Sequence, residues 1–228
     1  MRAPLALIPL RAPGVGKTRL AAVLDPDQRA SLAVAMLADV ADALHTGGIT
    51  EVVVAAGGRG AAEVADELGL AVVVDPPGCR DLNGALRAAT TRLAADRDVL
   101  VVAADLPRIR GRDVRSLLDS DAEVVVGPTA AGGTGALLRR PGSVIGTAYG
   151  AGSAQHHLDL ARRAGARAAV VDRDGLFHDV DTFTDLVALH EVELGPATAA
   201  LLPRLLGRQR VLAHQQRALA RHPGVTTA

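Results

Sequence analysis

Five nearly continuous apolar runs, each five to seven residues long, recur through the first 126 residues: Leu5 to Leu10, Glu51 to Ala56, Ala71 to Asp75, Asp98 to Ala104 and Ala122 to Val126. They lack the strict alternation of a sheet with one wet face, so they read as strands covered on both sides. Helical segments separate them. Asp27 to Leu44 places Val34, Leu37, Ala41 and Leu44 at three- and four-residue spacing before Gly47-Gly48, and Gly60 to Leu68, Asn83 to Ala95 and Arg112 to Leu118 follow. Strand–helix alternation of this kind predicts an α/β single domain, a mostly parallel twisted sheet with helices on both faces.

After Val126 the rhythm changes. Ala136 to Arg139 and Ala168 to Val171 read as strands, and Ala154 to Ala164 and Thr184 to Val192 as helices, with glycine loops at Thr129 to Gly135 and Tyr149 to Ser153. No low-complexity linker intervenes, so this half is expected to fold back onto the first sheet. The main domain is assigned to residues 1–200 and a basic helical tail to 201–228.

Composition narrows the function. Lys+Arg and Asp+Glu are each 25, so there is no basic surplus for nucleic acid. Aromatics are 1% (Tyr149, Phe177, Phe183), leaving almost nothing for bases to stack on. No apolar run approaches a membrane-spanning length, and the single Cys79 excludes an internal disulfide framework. A cytoplasmic protein that binds neither nucleic acid nor membrane is expected, and a homodimer is left open. The basic residues are 24 arginines and one lysine, Lys17, which suggests that a compact ammonium is wanted at that place.

Ligands of open parallel sheets sit beyond the carboxyl ends of the strands. After the first strand comes Arg11-Ala12-Pro13-Gly14-Val15-Gly16-Lys17-Thr18-Arg19, a glycine loop with three cations, suited to phosphates. It is not a Walker loop: the glycine required six positions before Lys17 is Arg11, and Pro26 interrupts a following helix. The fourth strand ends in Asp105-Leu106-Pro107. Asp179 and Asp181, two apart in an extended stretch, project to one side. These three carboxylates make a hard oxygen set suited to Mg²⁺. Asp181 would otherwise serve as the N-cap of the helix at Thr182, with Asp185 in its first turn. Ser153 is placed to cap the helix that follows Gly150-Ala151-Gly152, or its loop to hold an anion. No Gly-x-Ser-x-Gly elbow or dinucleotide fingerprint is present, and the adjacent His156-His157 pair points two ways on a helix.

In order, Lys17-Thr18-Arg19-Leu20, Ala35-Met36-Leu37-Ala38-Asp39-Val40, Leu82-Asn83-Gly84-Ala85-Leu86, Asp105-Leu106-Pro107, Gly133-Thr134, Gly150 to Ser153 and Asp179-Val180-Asp181-Thr182 span about residues 5 to 200. This series resembles the 2-phospho-L-lactate/phosphoenolpyruvate guanylyltransferases of coenzyme F-420 biosynthesis, which have a Rossmann-like nucleotidyltransferase fold. The resemblance implies that Lys17 and Arg19 hold a triphosphate and that Asp105, Asp179 and Asp181 hold Mg²⁺. It implies that Arg11, Asn83 and Gly84 bind the nucleotide, GTP. Thr134, Gly150 and Ser153 would hold a small phosphorylated carboxylic acid, phosphoenolpyruvate being favoured over 2-phospho-L-lactate. Its pattern is departed from at Arg11 (often lysine), Gly135 (asparagine), Ala151 (proline), His156 (arginine) and Phe183 (proline). Two other readings remain: a transferase of the same fold with a molybdopterin or sugar-phosphate acceptor, and a non-catalytic nucleotide-binding module.

Overall fold

The computed structural model describes residues 4–11, 17–79, 81–94, 96–189 and 192–207. Seven strands form one sheet: β1 (Leu5–Leu10), β2 (Glu51–Ala56), β3 (Ala71–Val74), β4 (Val99–Val102), β5 (Val124–Pro128), β6 (Thr134–Arg139) and β7 (Ala168–Val170). Their order is β3-β2-β1-β4-β6-β5-β7. All pairings are parallel except those of β6, which lies antiparallel between β4 and β5. The second half thus does return to the first sheet, by slotting one reversed strand into it.

Every other residue of a strand faces the same side, and both sides are covered. Ala6, Ile8 and Leu10 of β1 join Val52, Val54, Leu100 and Val102 under α1 (Pro26–Thr46), α2 (Arg59–Glu67) and α4 (Gly111–Leu118). Leu5, Leu7, Val53, Val99 and Val101 pack on the opposite side against α3 (Leu82–Ala94) and α5 (Ser153–Ala164). Two short helices, α6 (Asp174–Phe177) and α7 (Phe183–Ala188), flank the acidic segment of the second half.

Pro26 does not interrupt a helix; it begins one. Asp25 accepts from Gln28 N–H at 2.8 Å, and Gln28 Oε1 accepts from Asp25 N–H at 2.9 Å. That capping box sets proline at the first position, where its missing N–H is not needed. Before it lies only a short 3-10 turn, Thr18–Leu20. A last helix, α8, covers 196–207, and its Leu202 and Leu205 are buried with Leu20, Leu32 and Met36. The boundary set at residue 200 therefore falls inside an element packed on the core; the tail beyond 207, like residues 12–16 of the glycine loop, lies outside the described residues. Among the described residues no helix is long and apolar enough to cross a membrane.

Candidate active site

The strand order reverses between β1 and β4, because β2 and β3 lie to one side of β1 and the remaining strands lie beyond β4. Such a switch point opens a crevice at the strand carboxyl ends. Lys17 follows β1 there and Asp105 follows β4. The Lys17 backbone is left-handed, with φ of 55°, and it is the one non-glycine residue so placed among the described residues. A non-glycine side chain held there costs roughly 1–2 kcal/mol, and such strain clusters at working sites. The conformation turns the ammonium inward. Lys17 Nζ donates to Asp105 Oδ2 at 2.9 Å, to the Val180 carbonyl, and to Asp181 Oδ1 at 3.4 Å. One cation thereby joins three stretches separated by 88 and 164 positions in the chain.

Val180 N–H donates to the Asp105 carbonyl at 3.2 Å, so the acidic segment is tied by its backbone to the end of β4. The Asp179 carboxyl is raised above its usual range, first by burial and then by the Asp105 charge, with Asp181 adding to it. Asp181 is not the cap of α7. Thr182 is, its hydroxyl accepting from Asp185 N–H, while Asp185 Oδ2 accepts from the N–H groups of both Asp181 and Thr182. Threonine and Asp185 supply a full capping box, which leaves the Asp181 carboxylate to Lys17. The oxygen donors of Asp105, Asp179 and Asp181 suit a hard divalent cation chemically. As they stand, no three His, Cys, Asp or Glu side chains among the described residues are grouped to hold a metal ion. The Lys17 ammonium sits between two of the three instead.

The other expected site residues are placed differently from one another. Arg11 and Arg19 are exposed. Asn83 is spent on protein contacts: its amide donates to the Tyr149 carbonyl at 3.0 Å and its oxygen accepts from Tyr149 N–H at 2.7 Å. Gly84 N–H donates to Asp81 Oδ1 at 2.8 Å. The first turn of α3 thus clamps the glycine turn that carries Gly150, whose φ of 145° requires glycine.

Thr134 and Ser153 are both buried and bonded to each other at 3.0 Å. Ser153 is not the N-cap of α5; Gly152 is, in a left-handed conformation, with no side-chain cap. The Ser153 hydroxyl points inward. Thr134 Oγ1 also lies 3.0 Å from Nδ1 of the fully buried His157, and Ala148 N–H donates to His157 Nε2 at 2.9 Å. Because Nε2 accepts, the neutral ring carries its proton on Nδ1 and donates to Thr134. Burial, and then the Arg139 charge, lowers the His157 pKa to about 4.

Sequence reasoning missed four groups. His157 was weighed only as a metal ligand, although its three-residue spacing from Ala154 on α5 places it toward the core. Asp39 of α1, buried, accepts from Ala197 and Thr198 N–H at 2.9 Å each and so caps α8. Gly195 N–H, just before α8, donates to the Pro107 carbonyl at 2.8 Å and braces the Asp105-Leu106-Pro107 turn. Asp75, at the end of β3, has no donor to its carboxylate among the described residues. Its signal was its place: a carboxylate closing an apolar strand, as Asp105 is.

Comparison with known proteins gives these features a context. Residues 4–196 match the family described as "Guanylyl transferase CofC like". A 2-phospho-L-lactate guanylyltransferase from Methanothermobacter thermautotrophicus is 38% identical over 190 residues, 81% of this chain and 84% of that protein. A phosphoenolpyruvate guanylyltransferase from Mycolicibacterium gilvum is also 38% identical over 190 residues, 80% of this chain and 87% of that one. Among solved structures, a nucleotidyl transferase from Methanothermobacter thermautotrophicus superposes with a TM-score of 0.60 at 19% identity, covering 83% of this chain and 96% of its own. A protein from Desulfovibrio desulfuricans described as a nucleotide-diphospho-sugar transferase reaches 0.72 at 21% identity, covering 94% and 98%. These structural likenesses establish the fold.

Proposed function

The chain belongs to the CofC-like guanylyl transferase family, and from that membership we propose that it transfers GMP from GTP to the phosphate of a small phospho-carboxylic acid, phosphoenolpyruvate first and 2-phospho-L-lactate second, in coenzyme F-420 biosynthesis. The observation that carries the reading is the Lys17 ammonium held between Asp105 and Asp181 at the switch point. Phosphoryl and nucleotidyl transfer needs positive charge and anionic metal ligands at one place, and little else. The two relatives above are equally identical to this chain and differ in acceptor, so identity does not choose between the acids. The Arg- and Ala-rich composition fits a high-GC bacterium, and within the family that favours phosphoenolpyruvate.

In this reading an acceptor phosphate oxygen attacks the α-phosphorus of GTP in line. The new bond joins that oxygen to the α-phosphorus, the bond to the β-phosphate oxygen breaks, and pyrophosphate leaves with its electron pair. The attacking phosphate is already ionised, so no general base is needed. Lys17 has a compact charge on a flexible stem, suited to leaving the carboxylates for an arriving triphosphate. Asp105, Asp179 and Asp181 are the residues that would hold Mg²⁺, which when bound neutralises phosphate charge. The Asn83–Tyr149 clamp fixes the Gly150 turn, and the His157–Thr134–Ser153 chain fixes the start of α5. Together they supply a rigid wall with the exposed Gly150 for the acceptor.

Pyrophosphate release is the test, with GTP and Mg²⁺ and each of phosphoenolpyruvate, 2-phospho-L-lactate and 3-phosphoglycerate. The expected result is release with GTP and one acid, abolished in Asp105→Ala. Folded protein that binds GTP yet releases nothing with any of the three refutes the reading.

A further inference from the structure

We propose that Asp75 reads the base of the nucleotide, its carboxylate accepting hydrogen bonds from the adjacent N1–H and N2–H₂ donors of guanine. The inference rests on the reading above that a nucleoside triphosphate is the donor. The backbone of Asp75 is fixed, because its N–H donates to the Ala56 carbonyl at 3.0 Å and continues the parallel ladder past the end of β3. The side chain has no such anchor. Nothing among the described residues donates to its carboxylate, and burial alone raises its pKa, with no cation offsetting the cost. The carboxylate is partly buried and carries no protein donor among the described residues, so it is open to a ligand's donors.

Its surroundings fit a flat, mostly apolar ring. Asp75 lies on the wall of a cavity of about 270 Å³ built from Val73, Pro76 and Pro77 on one side and Ala85 and Ala89 of α3 on the other, with Arg92 at the rim. Apolar walls with one or two placed polar groups are the usual make-up of a small-molecule site. Asp75 also stands near the end of β1. Residue 57 is glycine, and a Cβ there would stand 3.8 Å from Asp75 Oδ2, 3.5 Å from the Leu10 carbonyl and 3.7 Å from Arg11 Cα. The Asp75 carboxylate and the end of β1 therefore both border the same glycine, with no side chain there to separate them. β3 and β4 are three strand spacings apart, about 14 Å, so a nucleotide laid across the strand ends has its base at Asp75 and its phosphates at Asp105.

The chemistry selects one base. Guanine alone of the common four offers two adjacent donors to a carboxylate. Adenine and cytosine would turn a lone pair toward it beside their amino group, and uracil flanks its single N–H with two carbonyls. A site built on paired hydrogen bonds rejects analogues that leave its polar groups unmatched.

The experiment compares GTP with inosine triphosphate, which lacks the 2-amino group, on wild type, Asp75→Asn and Asp75→Ala. Equilibrium binding is measured by calorimetry on the full chain without acceptor, and initial rates with acceptor. Circular dichroism and thermal unfolding report the fold. Wild type is expected to prefer GTP over inosine triphosphate by about tenfold, the worth of one charge-assisted bond. In Asp75→Ala, GTP binding weakens by about a hundredfold, as two such bonds are lost, and the preference falls to within about twofold. A preserved preference in folded Asp75→Ala overturns the assignment, whether or not turnover is seen. So does wild type that binds the two nucleotides equally. Nucleotide binding with this preference but no pyrophosphate release in wild type overturns the transferase reading and leaves Asp75 as the base reader.

Discussion

Replacing Asp39 by alanine removes the cap that joins the first long helix to the last. Its two carboxylate oxygens accept from Ala197 and Thr198 N–H at 2.9 Å each, and Thr198 is fully buried. Hydrogen bonds to a charged group contribute about 1.5–3 kcal/mol each, and a lost N-cap alone about 0.5–2. The two bonds share one carboxylate and are not independent, so about 3 kcal/mol is the working figure for Asp39→Ala. Asp39→Asn keeps one acceptor oxygen and turns an N–H toward the other donor, which halves the loss to about 1.5 kcal/mol. For a domain of this size each kcal/mol moves the Tm by about 2–4 °C, giving a drop of about 6–12 °C for alanine. Urea unfolding followed by circular dichroism checks the figure, with the midpoint falling at unchanged slope. Amide exchange should accelerate at residues 197–199. An Asp39→Ala protein within about 0.5 kcal/mol of wild type, the range of an inert surface change, refutes the reasoning.

Lys17→Met removes the positive charge that, among the described residues, lies between the carboxylates and should lower kcat/KM by about 10²–10³, with no rescue by Lys17→Arg, whose planar fork does not replace a point charge. An active Lys17→Met in the pyrophosphate assay contradicts this role. His157 titrates at about 4 in the fold against 6.5 in a free chain, so below pH 6.5 the unfolded state binds the extra proton. Its contribution is whole above pH 6.5 and is lost as pH falls toward 4, in all about 3 kcal/mol; urea midpoints at pH 7.5 and 4.5 should converge in His157→Gln relative to wild type. Gly135→Ala should cost about 1–3 kcal/mol, because the added methyl would stand 2.5 Å from the Leu176 carbonyl. An unchanged Tm in that variant would show that α6 shifts freely.

The parallel half of the fold was legible because a strand covered on both faces writes its burial into four or more consecutive residues; β1 and β2 match the apolar runs end to end. The start of α1 was not, since Pro26 breaks a helix interior and begins a helix equally well, and only the Asp25–Gln28 pair decides between them. Four-residue α6 leaves too short a pattern to be read at all. At the site, Lys17, Asp105 and Asp181 were legible as charges placed after strands. Thr134 and Ser153 were read as ligand groups; that the Thr134 hydroxyl also bonds Ser153 and His157 was not legible, because it depends on how α5 sits beside β6. Asp39 and Asp75 were invisible as functional groups for opposite reasons. One finds its partners 158 and 159 positions away, and the carboxylate of the other has no donor among the described residues.

The reversed strand β6 lies in the interior of the sheet, yet it is synthesised after β5, which it separates from β4. During translation β5 therefore emerges with no neighbour to take it. β5 joins the sheet only when residue 139 has left the ribosome, and Lys17 then waits roughly forty residues more for Val180 and Asp181. A nascent chain cut before that point can pair Lys17 with Asp105 alone, so the three stretches that meet at this ammonium come together only after residue 181 has been made.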